Sequence, residues 1–334
     1  MGRVTIKSIA KDLGISHMTV SRALSDNANV QPATRQAVLK RAQELGYVKS
    51  AAAKAMRGDS TQIVGLLLPN IVNEFYARFA NTLAQACEQL SYHLIIHLTN
   101  DDIVREQQAL AKLREVQAMA VIMVPAPGES EGGEQQLQSM KTIQLVRQRP
   151  MKIASTALLI DDSSAITDAV EHLARRGCSS IAFIGADERF SSGHQRLQAF
   201  QRALQGLALP YNTDMICTVE PSFEMGREIA LRLVEQGDLQ AIVCGGLELS
   251  NGALSVLMER NIDPEHDIPF IGYGDPSFYA WIGGGISTIE VPVDQLAQQA
   301  AELLSIEQDW GTVCRRDDLR LEANLLLRGS GLKS

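Results

Sequence analysis

The chain has no run of about 18 or more apolar residues, the length a membrane-crossing helix needs. Met1-Gly2-Arg3 leads straight into a helix pattern without the apolar core of a secretory signal, so a cytoplasmic location, with no membrane partner, is expected. Gly2 also lacks the Ser or Thr that myristoylation requires at its spacing. Cysteine is sparse: Cys87, Cys178, Cys217, Cys244 and Cys314 are scattered, odd in number and never paired as C-x-x-C. That excludes a disulfide framework and a cysteine-based zinc module, and leaves reduced packing residues. The phosphate loop G-x-x-x-x-G-K-S/T, the nucleophile elbow G-x-S-x-G and a G-x-G-x-x-G after a strand are all missing. His93 and His97 would share one face of a strand but stand about 13 Å apart at strand rise, too far for one ion. No enzyme chemistry, metal or cofactor is therefore expected.

Charge is unevenly spread. The chain of 334 residues carries a net −8, yet residues 1–60 hold ten lysines and arginines against four acids, a local +6. The remaining 21 bases and 35 acids leave −14 on the rest. An acidic body with one basic end suits a protein that holds phosphates only at that end. The length allows about two or three domains, and 45% apolar content is enough for a sizeable core.

The basic end is patterned as three helices. Thr5 can cap a first helix whose apolar Ile6, Ile9, Ala10 and Leu13 recur three and four apart, and Gly14 permits a sharp turn. Ser16 caps a second helix that sets Val20 and Leu24 on one side and His17, Met18, Ser21 and Arg22 largely on the other. A third runs from Pro32 through the stripe Val38, Ala42 and Leu45 to a stop at Gly46. Two helices about a glycine turn make a helix-turn-helix, whose second helix suits a major groove.

The pieces Val4-Thr5-Ile6-Lys7-Ser8-Ile9-Ala10, Gly14-Ile15-Ser16, Thr19-Val20-Ser21-Arg22-Ala23-Leu24, Thr34-Arg35 and Leu45-Gly46-Tyr47 stand in fixed order. In these pieces and their spacing the chain resembles the lac repressor and galactose repressor family of bacterial transcription regulators. The resemblance extends to the closing Leu327-Arg328-Gly329-Ser330. It implies that His17, Met18 and Arg22 face base edges. Arg22 can offer two donors to a guanine, His17 can donate or accept, and Met18 can touch a thymine methyl. Thr5, Ser16, Thr19, Ser21 and Asn29 are expected to hold phosphates and register.

Ser50 to Gly58 is rich in helix formers but shorter than the roughly 12 residues at which an isolated helix becomes marginal. The resemblance implies that it becomes a hinge helix on DNA, two copies packing in the minor groove around Ala53 with Met56 as the wedge. The family's Pro-Asn ahead of it is Lys49-Ser50 here.

From Gln62 the pattern alternates. Ile63–Leu68, His93–Leu98, Ala120–Val124, Ser180–Gly185, Ala241–Cys244 and Phe270–Tyr273 are apolar runs of strand length. Helices are expected around Phe75–Cys87 and over Arg105–Arg114, Thr167–Arg176 and Gly193–Leu204. Strands this apolar belong in parallel sheets covered on both faces. Pro127–Gln138, rich in Gly, Glu and Gln, is expected to be an exposed loop and helix start. The fold expected is α/β: an N-terminal three-helix helix-turn-helix domain (1–48), a hinge helix or linker (49–60), then two doubly wound parallel lobes of the periplasmic-binding-protein type (61–334). By resemblance the chain crosses between lobes near Asp161, Val291 and Arg320. That gives an N-lobe of about 61–161 and 291–320 and a C-lobe of about 162–290 and 321–334.

Ligands of such lobes gather at the carboxyl ends of the strands. That rule and the resemblance together select Phe75, Tyr76, Arg147, Ser192, Arg196, Gly246, Glu248 and Asp275 as effector contacts. Sugar-responsive members carry Asn-Asp where this chain has Gly246-Leu247, and an acid where it has Gly274. Loss of those acceptors, with Arg147 joining Arg196, points toward an anionic effector such as a sugar acid or organic acid, with a sugar as the other class. The expected function is a sequence-specific DNA-binding transcriptional repressor, a homodimer on a near-palindromic operator, with affinity set by a small molecule between the lobes. Alternatives are a repressor without effector, a binding protein of the periplasmic type, or an enzyme.

Overall fold

The computed structural model describes residues 4–24, 30–47, 61–128, 133–306 and 318–329. The chain divides into two compact units, Met1–Thr61 and Gln62–Ser334.

The first unit holds α1 (Ile6–Leu13), α2 (His17–Leu24) and α3 (Pro32–Glu44). Thr5 and Ser8 form a reciprocal capping box at the start of α1, a device that contributes about 1 kcal/mol. Gly14 ends the helix at φ +63°, a left-handed position that costs glycine nothing. Ile9, Val20, Leu24, Val38 and Ala42 are buried together as a small core. Arg41 of α3 reaches Asp12 of α1 at 2.7 Å and Glu44 at 3.0 Å.

The second unit contains two six-stranded sheets. Its strands are β1 (Ile63–Leu68), β2 (His93–Leu98), β3 (Ala120–Met123), β4 (Lys141–Leu145), β5 (Thr156–Asp161), β6 (Ile181–Ala186), β7 (Ile216–Val219), β8 (Ala241–Gly245), β9 (Phe270–Tyr273), β10 (Ser287–Glu290), β11 (Leu319–Glu322) and β12 (Asn324–Leu326). Its helices are α4 (Glu74–Gln89), α5 (Ile103–Glu115), α6 (Gly133–Leu137), α7 (Ser163–Arg175), α8 (Ser191–Gly206), α9 (Phe223–Gln236), α10 (Leu247–Glu259) and α11 (Val293–Ser305). The first sheet has the order β11-β5-β4-β3-β1-β2, and the second β12-β10-β9-β8-β6-β7. Among the described residues every pairing is parallel except that of β10 with β12. The central strands are buried on both faces, as their unbroken apolar runs require.

The chain leaves the first sheet after Asp161, returns after Glu290 and leaves again at Ala323, three residues past Arg320. Ile160, Val291 and Ala323 are buried at these crossings, in the same core cluster as the strands. Two expectations need correction. Pro127–Gln138 is not simply an exposed loop, because Gly133 and Leu137 of α6 are buried and Leu137 packs with Leu110, Leu113 and Met140. Strands β4, β5, β7, β10, β11 and β12 and helices α9, α10 and α11, which the sequence patterns did not mark out, complete the lobes. α9 and α10 touch backbone to backbone: a Cβ on Gly252 would lie 2.1 Å from the Phe223 carbonyl oxygen, and one on Gly226 2.3 Å from that of Leu249.

Candidate functional site

In the first unit the face of α2 away from the core is polar and exposed. Val20, Ala23 and Leu24 are buried, whereas His17, Met18 and Arg22 are exposed, Met18 by 54%. The helix starts on Ser16, whose Oγ accepts from the Thr19 amide at 3.0 Å and lies 2.9 Å from Thr19 Oγ1. This bond holds the first turn, and with it His17 and Met18, at the end of the helix that a helix-turn-helix inserts. Thr5 is exposed, and Thr19 and Ser21 are half-buried. Asn29, Ala53 and Met56, with the whole 49–60 segment, lie outside the described residues.

In the second unit a cleft of about 690 Å³, open mouth included, lies at the carboxyl ends of the strands. It brings together Phe75, Tyr76 and Arg147 from the first lobe with Ser192, Arg196, Gly246 and Glu248 from the second. Phe75 and Tyr76 follow the Asn73 cap of α4 and meet edge to face, with ring centroids 5.3 Å apart. A Cβ added at Gly246 would make only ordinary contact with the Leu249 side chain, at 3.5 Å.

The two arginines are built into the fold. Arg147 follows Val146, a β-branched residue at φ +63° inside a three-residue turn closed by the Arg147 amide and the Leu145 carbonyl at 2.6 Å. A left-handed valine costs on the order of 1–3 kcal/mol and persists only where neighbours enforce it. Here the neighbours are Arg149, which ion-pairs with the buried Glu106, and Gln148, whose amide donates to Ser191 Oγ at 2.9 Å across the cleft. Arg147 itself pairs with Asp101 at 2.5 Å and lies 4.0 Å over the Phe190 ring of the other lobe. Arg196 donates through Nε to Asp162 at 2.5 Å and through Nη1 to the Gly245 carbonyl at 3.1 Å, and stacks 4.2 Å from the Tyr273 ring. Tyr273 OH donates to the same Asp162 oxygen at 2.7 Å. Burial works against the Arg196 charge, but Tyr273 and Asp162 outweigh it and hold its pKa above the ordinary arginine value.

Glu248, in the first turn of α10, has its pKa raised by burial and by the neighbouring Glu224. Asp275 departs from expectation. It follows Gly274 (φ +96°), is itself left-handed at φ +48°, and turns from the cleft toward Arg328, which holds both its oxygens, one at 3.0 Å. It does not line the cleft. The acids that face the arginines, Asp101 and Asp162, were not singled out from the sequence. Asp101 stands in the loop after β2, where the strand-end rule could have found it. Asp162 follows β5, a strand whose position was not marked.

Comparison with known proteins places these two units. The family model for bacterial regulatory proteins of the lacI family matches residues 5–50, and that for periplasmic binding protein-like domains matches residues 170–330. The chain is similar to catabolite control protein A of Priestia megaterium, 25% identical over 93% of this chain and 94% of that one. It is likewise similar to the HTH-type transcriptional regulator GalR of Escherichia coli (strain K12), 25% identical over 90% and 88%. Among solved structures, the lac repressor dimer bound to operator and the anti-inducer ONPF aligns with a TM-score of 0.84 at 18% identity, over 99% of this chain and 100% of that one. The complex of transcriptional regulator CelR with cellobiose aligns with a TM-score of 0.72 at 21% identity, over 98% and 100%.

Proposed function

The chain belongs to the lacI family of bacterial regulatory proteins and is a DNA-binding transcriptional regulator, not an enzyme; from that premise we propose a cytoplasmic homodimeric repressor that reads a near-palindromic operator and answers to a small polar molecule held between its lobes. The observation that carries the DNA half is the division of α2 into a buried side and an exposed side bearing His17, Met18 and Arg22. In this proposal those three read bases, and Thr5, Ser16, Thr19, Ser21 and Asn29 set register. Residues 49–60 form the hinge, with Ala53 and Met56 in the minor groove, between the domain at 1–48 and the core at 61–334.

The effector half rests on the cleft. Phe75, Tyr76, Arg147, Ser192, Arg196, Gly246 and Glu248 are proposed as its contacts; Asp275, committed to Arg328, serves the fold instead. The expected anion clamp has no support in the charge balance. Arg147 and Arg196 each already face a carboxylate at 2.5 Å, so neither offers an uncompensated positive charge to an acid. A ligand rich in hydrogen-bonding groups fits better, as in the neighbouring structure that is a cellobiose complex. Because Arg147, Gln148 and Glu74 of one lobe meet Phe190, Ser191 and Ser277 of the other across the cleft boundary, a ligand there biases lobe orientation and through it the hinge.

Selection of bound sequences from randomised DNA, repeated with Arg22→Ala, tests the reading. The variant should relax preference at one position per half-site and cost about 1–3 kcal/mol per contact. Unchanged preference would remove Arg22 from base reading, and failure to enrich any sequence would refute the operator-binding dimer.

A further inference from the structure

Four charged side chains line the cleft, Asp101, Arg147, Arg196 and Glu248, and because Asp162 beneath it already pairs with Arg196, Glu248 is left without a counter-charge. Arg147 is paired with Asp101 and Arg196 with Asp162, whose side chains are only 6–12% exposed beside arginines at 8–9%. Glu248 has no hydrogen-bond or ion-pair partner among the described residues, and the charge acting on it is that of a second acid, Glu224. A half-buried carboxylate without a protein donor is satisfied only by water or by a ligand that donates to it.

Other polar groups in the cleft are also unspent. Tyr76 is 7% exposed, lines the cleft, and its hydroxyl has no partner among the described residues. Arg147 uses one guanidinium nitrogen and Arg196 two, so each retains N–H groups directed at neither Asp101 nor Asp162. Asn73 spends its side-chain oxygen on the Phe75 amide and keeps its NH2. The site thus presents several donors that suit hydroxyl or ether oxygens and a single unmatched acceptor of full negative charge.

Accepting the cleft as the effector site, we infer that its ligand is a small hydroxylated amine, an amino sugar or its acyclic equivalent, with the ammonium group against Glu248 and its hydroxyls toward Tyr76, Arg147 and Arg196. An ammonium matches Glu248 in both charge and donor number. A carboxylate ligand meets no free cation and adds to the negative charge of Glu248 and Glu224. A neutral polyol fills the donors but leaves the Glu248 charge without a counterion. The aromatic pair Phe75–Tyr76 offers an apolar edge to the carbon skeleton.

The experiment is a thermal-shift and calorimetric comparison on the full chain at neutral pH. The probes are glucosamine, galactosamine and 1-amino-1-deoxysorbitol, each beside its N-acetylated form, with glucose, galactose, glucuronate and galacturonate. At least one amine should bind ten-fold or more tighter than its N-acetylated and neutral counterparts. Glu248→Gln should lower that preference ten-fold or more while the unliganded variant melts no lower than the parent. Binding of a hexose or uronate with no amine tighter would overturn the amine assignment and leave the effector site standing. Amine binding that Glu248→Gln leaves intact would overturn the role of Glu248. No binding by any probe would count against both the amine and the cleft as an effector site.

Discussion

Asp162 is buried beneath the cleft, where the chain first crosses between lobes, and holds Arg196 and Tyr273 at once. Asp162→Ala strands a guanidinium whose side chain is 8% exposed and takes a charge-assisted acceptor from Tyr273 OH. Removing one partner of a buried pair costs about 3–5 kcal/mol, because the other charge stays buried without compensation. The Tyr273 bond belongs to the same network and is not added separately. Replacing both charges by apolar groups of similar volume, Asp162→Leu with Arg196→Met, removes the stranded charge and should recover most of that loss. Urea unfolding followed by circular dichroism reads both variants against the parent, with equal slopes required for the comparison. A single variant that loses less than about 1 kcal/mol, or a double variant as unstable as the single, would refute the claim that Arg196 is held by Asp162 rather than by its stacking on Tyr273.

Gly252→Ala places a methyl 2.1 Å from the Phe223 carbonyl oxygen, so α9 and α10 must move apart. A loss of about 1–3 kcal/mol is expected, read as a lower melting temperature; an unchanged melting point would show that the helices are not in backbone contact. Burial raises the Cys244 thiol to about 12 and the Cys87 thiol to about 11. Maleimide labelling at pH 7.5 mapped by mass spectrometry should therefore leave both unmodified until the protein unfolds, and native-state labelling of either would contradict their burial. Asp294 is held below its ordinary pKa by hydrogen bonds from Arg78 and Thr82. Its contribution is present above the ordinary aspartate range and fades as pH falls through the depressed value, so Asp294→Asn should narrow its stability gap to the parent in acid. A gap constant between neutral pH and pH 3 would show that the Arg78 pair contributes nothing.

The parts legible in the sequence were those with uniform local chemistry. β1, β2 and β9 stand as their apolar runs indicated, and the bounds of α1 to α3 follow their capping residues and glycines. β4 was hidden because it carries Lys141, Thr142 and Gln144. The buried Gln144 is tolerable only because its amide joins Arg149 and Ser155, a fact of tertiary structure. The mid-helix glycines Gly226 and Gly252 weaken the local helix signal in α9 and α10 for the reason that makes them necessary, the close approach of two backbones. At the cleft, the arginines were visible as residues but their partners were not. Asp101 lies 46 positions from Arg147, and Asp162 lies 34 from Arg196. The charge that a ligand meets therefore depended on pairings no local pattern reveals, and the expectation of an anion followed from missing acceptors and two arginines whose partner acids were out of view.

The edge strands β11 and β12 come from one short stretch, Leu319–Leu326, which gives one strand to each sheet. On the ribosome this sets an order of ripening. The helix-turn-helix core draws only on residues before 48 and can close as soon as they emerge. Until residue 326 is made, β5 and β10 each keep an unpaired side in the nascent chain, a template for pairing with other chains. A chain cut before residue 319 keeps the whole helix-turn-helix core but has two unfinished lobes, so one unit is complete while the other still lacks an edge strand in each sheet.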